Sequence, residues 1–151
     1  MNLVEQINAD IKSAMLAKDK DKLEALRAIK AAFMVALTEK GAAHELTDDA
    51  ALKIIQKLVK QRKDSAAIYE QNNRMELFEK EISEAAVIEK YLPAQLSKEE
   101  IEAQIKTLIT QVGASGPQDM GKVMGAASKQ LAGKAEGKLI AQVVKELLAA
   151  Q

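Results

Sequence analysis

The stretch DMGKVMGAASKQLAGKAEGK, residues 119–138, interleaves four glycines with four lysines. These are the residue types of a phosphate site: glycine lets a backbone N–H come close to an anion, and an ammonium group supplies the countercharge. A nucleotide-hydrolysing phosphate loop needs G-x-x-x-x-G-K followed by Ser or Thr, set between a strand and a helix. Here Gly133-Lys134 is followed by Ala135, Ser128 stands five residues before Gly133, and no strand pattern precedes it. That chemistry is excluded. The spacing supports a helix instead, with Met120, Val123, Met124, Ala127 and Leu131 recurring every three or four residues as a buried stripe. Gly121 and Gly125 then lie together, and each weakens a helix by about 1 kcal/mol relative to alanine. Glycines kept at that cost point to close approach by another backbone, either a neighbouring helix or a bound ligand. Lys122, Lys129, Lys134 and Lys138 surround this face and the turn after Gly133.

A second basic strip is stronger by count. The segment LKIIQKLVKQRK, residues 52–63, holds Lys53, Lys57, Lys60, Arg62 and Lys63 and no acid. Lys53, Lys57 and Lys60 follow helical spacing opposite Ile54, Ile55 and Leu58. Two readings fit: the solvated face of an amphipathic helix, or a face that tracks phosphates by charge and shape without reading bases.

Catalytic chemistry finds little to work with. His44 is the single histidine, in the polar AAHEL segment, and reads as a surface or cap-side residue. With one His and no Cys, a metal site could be built only from carboxylates. Those fall among lysines on helix faces, the pattern of solvated surface. The six serines lack a neighbouring base and none sits in a G-x-S-x-G elbow. No catalytic residue, metal or cofactor is assigned.

The elements that must position the basic residues are helices from end to end. Alanine occurs 26 times, with Lys, Glu, Leu and Gln filling most other places. Helix one spans about 3–17 behind Asn2, and helix two starts at an Asp21/Glu24 cap and stops at Gly41. Helix three opens at Thr47-Asp48-Asp49 and continues to about Glu70, and helix four starts at Asn73 and runs to Pro93. Ser97 and Glu100 form a capping box for helix five, which ends at Gly113. Helix six covers 118–131 and helix seven about 138–149. The expectation is all-α: a four-helix N-terminal part, 1–92, and a three-helix C-terminal part, 97–151.

Charge and composition bound the partners. The 22 basic and 22 acidic residues cancel, so nucleic-acid binding must come from a local patch. Two Phe, two Tyr and no Trp argue against a module that stacks single-stranded bases. The longest apolar run, Ala31–Leu37, is far short of a membrane span. Absence of cysteine fits a reducing compartment, and the N-terminal residues lack a signal-peptide pattern. The expectation is a cytoplasmic protein without membrane contact.

Several separated motifs carry a family resemblance. YLPAQLSKEE, DMGKVMG and GKAEG, preceded by AKDKDKLEALRAIK and KQRKDSAAIYEQNNR, resemble the YqeY family of small bacterial proteins over essentially the whole chain. The family's C-terminal part is similar to the tail domain of GatB, the tRNA-engaging subunit of the glutamine-dependent tRNA amidotransferase. The resemblance implies two helical parts, the second a GatB-tail-like domain. Within the matching segments 121–125 and 133–135 it implies a tRNA-facing role for Lys122 and Lys134 with Gly121, Gly125 and Gly133; the basic patches read above add Lys129, Lys138 and the Lys53/Lys57/Lys60 face as further nucleic-acid candidates. The catalytic body of such enzymes has no counterpart here. Kinship therefore implies a non-catalytic module for tRNA or structured RNA. The alternative is an accessory module docking on an amidotransferase or translation component, with carbon–nitrogen ligase activity using glutamine as donor only inside a larger complex.

Overall fold

A computed structural model describes residues 1–39 and 45–150. Among them are seven α-helices: α1 (Leu3–Ala17), α2 (Lys20–Glu39), α3 (Asp48–Gln71), α4 (Met75–Glu89), α5 (Lys98–Val112), α6 (Met120–Gln130) and α7 (Gly137–Ala149). A 3-10 turn, Pro117–Asp119, leads into α6, and no strand occurs among the described residues. The fold is all-α. The expected stop at Gly41 and the surface role of His44 fall outside the described residues. The chain divides into two compact units, Met1–Leu92 and Pro93–Gln151.

In the first unit, α1 starts at a reciprocal box: Asn2 Oδ1 accepts from the Glu5 N–H at 2.8 Å, and Glu5 Oε2 accepts from the Asn2 N–H at 3.1 Å. It ends at Lys18, which takes the left-handed conformation (φ 56°) while Asp19 N–H bonds back to Ala14 O. That turn leaves only Asp19 ahead of α2, so Asp19 caps it through the Lys22 N–H at 3.2 Å, and the expected cap, Asp21, lies inside the first turn. Thr47 caps α3 through the Ala50 N–H at 3.2 Å. Asp48 beside it accepts from the Leu3 N–H at 3.0 Å, joining the starts of α1 and α3. Asn73 does not cap α4 as expected. It closes α3 in the left-handed conformation (φ 56°), with Arg74 N–H on Tyr69 O and Asn73 N–H on Glu70 O. Asparagine tolerates that conformation better than most residues, and the competing role wins. Ile7, Leu26, Ile29, Phe33, Ile55 and Ile88 centre the core, drawn from all four helices.

The second unit packs α5, α6 and α7 around Ile101, Ile105, Val123, Leu131, Val143 and Leu148. Ser97 and Glu100 form the expected capping box of α5, and Gly113 (φ 69°) ends that helix. The turn between α6 and α7 is held by the segment after Pro93. Gln95 Nε2 donates to Gly133 O at 2.7 Å, and Leu96 N–H donates to Lys134 O at 3.0 Å. The motifs YLPAQLSKEE and GKAEG therefore meet in space.

Candidate nucleic-acid interface

On α6, Val123 and Ala127 are buried while Gly121, Lys122, Gly125 and Lys129 are all exposed. At 100° per residue these four fall within one arc opposite the core stripe, with Gly121, Gly125 and Lys129 following one another at intervals of four. A Cβ built on Gly121 or Gly125 would meet nothing within 4 Å. Of the two bodies that could approach these glycines, a neighbouring helix is thus excluded among the described residues. At these two positions the helix presents bare backbone to solvent, flanked by two ammonium groups with no ion pair among the described residues.

The remaining candidates of this stretch have other surroundings. Gly133 is buried and has φ 74°, a conformation that strains any residue with a Cβ. Its carbonyl is occupied by Gln95. Lys134 is half-buried, and both its backbone groups are bonded, the N–H to Leu131 O at 2.9 Å and the carbonyl to Leu96. The Gly133-Lys134 pair shapes the corner. Lys138 is exposed in the first turn of α7, a turn that carries no acid and no side-chain cap. Gln95 is the residue that sequence reasoning missed here; its partner lies 38 positions away, beyond any local pattern.

The α3 strip belongs to the first unit, and its charge is largely spent. Lys60 pairs with Asp64 at 2.8 Å, Arg62 with Glu84 at 3.4 Å and Lys63 with Glu89 at 3.0 Å. Arg62 turns inward, its Nε shielded and without a hydrogen-bond acceptor. Lys53 and Lys57 remain exposed with no ion pair among the described residues. An acid-free window thus became a mostly neutral face, because the acids stand just beyond it or on α4.

No helix among the described residues is long and apolar enough to cross a membrane. A family model described as "Yqey-like protein" matches residues 4–148. Curated relatives named "Altered inheritance of mitochondria protein 41, mitochondrial" include one from Lachancea thermotolerans, 35% identical over 78% of this chain and 63% of its own length. Another, from Kluyveromyces lactis, is 31% identical over 74% of this chain and 60% of its own length. A third, from Pyrenophora tritici-repentis, is 29% identical over 97% of this chain and 81% of its own length. The chain spans about three-fifths of the length of the first two. These names overturn the expectation of a cytoplasmic protein, since the relatives are mitochondrial. A cysteine-free chain of balanced charge suits any reducing aqueous compartment, so composition could not discriminate.

Proposed function

The chain belongs to the Yqey-like protein family, and from that premise we propose that it is a non-catalytic helical module binding tRNA or another structured RNA through the solvent face of α6. The observation that carries this is the exposed Gly121–Gly125 pair with nothing over it, flanked by Lys122 and Lys129. Bare helix backbone admits a sugar–phosphate chain closely, and the lysines neutralise phosphates. Such contacts recognise shape and charge without stacking bases, which suits a chain with four aromatic residues among Phe, Tyr and Trp. The likeness of DMGKVMG to the GatB tail supports the same face. Amidotransferase chemistry would belong to a larger complex.

A second reading rests on a separate observation. The large exposed apolar side chains, among them Leu16, Met34, Ile68 and Met75, all belong to the first unit, which favours a protein partner there, such as an amidotransferase or translation component.

Fluorescence anisotropy with labelled tRNA across a salt series tests the RNA reading. Each phosphate neutralised steepens the fall of log affinity with log salt by about 0.7–0.9. Lys122→Ala combined with Lys129→Ala is expected to weaken binding and flatten the slope by about two such increments. Wild-type affinity and slope in that variant would remove the α6 face from the proposal. Absence of binding even at low salt would reject RNA and leave the protein-partner reading.

A further inference from the structure

A cavity of about 260 Å³ opens on the first unit, lined by Gln6 and Asp10 of α1, Lys22 of α2, Val87 of α4, and Lys90 and Tyr91 just after α4. No role assigned above uses it. Its charge is sorted by one contact: the Tyr91 hydroxyl donates to Asp10 Oδ2 at 2.5 Å, partly buried. Burial raises the Tyr91 pKa, and the hydrogen bond to Asp10 adds to the rise. The hydroxyl therefore stays a donor, and one carboxylate oxygen is committed to it. Lys22 and Lys90 have no ion pair among the described residues. Val87 and the Tyr91 ring give an apolar wall, and the Gln6 amide adds a neutral donor and acceptor.

We propose that this cavity is a binding site for a small organic anion, a carboxylate or phosphate head on a compact apolar body. The two ammonium groups outweigh the one lining carboxylate and favour an anionic head, while the Val87 and Tyr91 wall would leave a bare inorganic ion half its surroundings unused. The volume lies just below the ~300–1,000 Å³ of pockets that take drug-sized ligands, so the body is a single ring or a short branched chain. Asp10 and Tyr91 are positioning residues, since the hydroxyl engages one oxygen of the one lining carboxylate.

The test is a titration of the ¹⁵N-labelled full chain with sodium benzoate, followed by amide shifts, beside the neutral isostere benzamide and inorganic phosphate. The expected result is saturable benzoate binding in the millimolar range, with shifts clustered at Gln6, Asp10, Lys22 and Val87–Tyr91 and none from benzamide. Lys22→Gln with Lys90→Gln should weaken binding about tenfold, as loss of two nearby surface charges allows. Both lysines are exposed, so the variant is expected to keep its fold, checked by its amide dispersion. Asp10→Asn keeps an acceptor for the Tyr91 hydroxyl and removes a negative charge; it should tighten benzoate about threefold. A merely structural role for Asp10 would not tighten it. Equal binding of benzamide, equal shifts from inorganic phosphate, shifts scattered elsewhere, or no shifts at all would each overturn the proposal.

Discussion

The two units treat their surfaces in opposite ways. In Met1–Leu92, Leu16 is 83% exposed and Met34 and Ile68 are each 57% exposed, whereas none of the large exposed apolar side chains falls within Pro93–Gln151. The second unit is the smaller and should be the harder to close, since small chains bury a lower share of their surface. It closes because each of its three helices turns its stripe inward and because Gln95 and Leu96 fasten the α6–α7 corner. What it leaves outside is charge and bare backbone. The first unit, with longer helices, leaves apolar side chains and a cavity. Under the proposals above, recognition by backbone and charge would belong to the second unit, and recognition by apolar contact to the first.

The largest effect should come from the cores. Ile29 and Ile105 are both fully buried, one in each unit. Truncation of a buried isoleucine to alanine costs about 2–5 kcal/mol, depending on how far the site collapses. Ile105→Ala is expected to speed amide hydrogen exchange in α5, α6 and α7, and Ile29→Ala to do the same in α1–α4. If either substitution deprotected both sets of helices equally, two separate cores would be the wrong description of how the chain unfolds.

A smaller effect of opposite sign separates packing from recognition. Gly125 lies in the middle of α6 and faces open space, so Gly125→Ala should stabilise the second unit by about 0.5–1 kcal/mol. Gly121, in the first turn, should give less. Under the RNA proposal the same methyl group obstructs a phosphate chain, so affinity should fall while the melting temperature rises. A variant that melts higher and binds tRNA as well as the wild type would keep α6 as drawn and remove the glycines from the interface.

How much of this was legible in the chain follows from the range of each interaction. The Ser97/Glu100 box, the Thr47 cap and the stop at Gly113 rest on contacts within four residues, and their residue types announce them. Asp19 and Asn73 show the limit of local reasoning. Asp19 lies two residues before an equally plausible cap, Asp21, and Asn73 could either cap α4 or close α3; the left-handed turn that decides each case also depends on the helix it closes. The α3 window could not reveal its own neutralisation, for a longer-range reason: Glu84 and Glu89, which pair with Arg62 and Lys63, arrive only when α4 folds back. Helical spacing puts Gly121 beside Gly125, but which side of α6 meets solvent is set by α5 and α7. The Gln95–Gly133 bond and the cavity at Tyr91 join distant segments, and no periodicity points to them.

The smallest predicted effect tests the start of the second unit. Hydrogen bonding to Ser97, its backbone N–H first and its hydroxyl second, holds the Glu100 carboxyl below the ordinary glutamate value of 4.5. A carboxylate lowered on folding adds stability that is complete above its unfolded pKa and is lost as pH falls through the folded one. The loss therefore belongs on the acid side of 4.5, as protonation removes the acceptor charge facing the Ser97 N–H. Glu100→Gln keeps an oxygen within reach of that N–H but cannot ionise. Its second unit should begin slightly less stable at neutral pH and decline less steeply into acid, read as exchange of the Ile101–Gln104 amides against pH. An unchanged acid slope would mean that the box holds α5 by geometry alone, and that the acid sensitivity of this unit arises elsewhere.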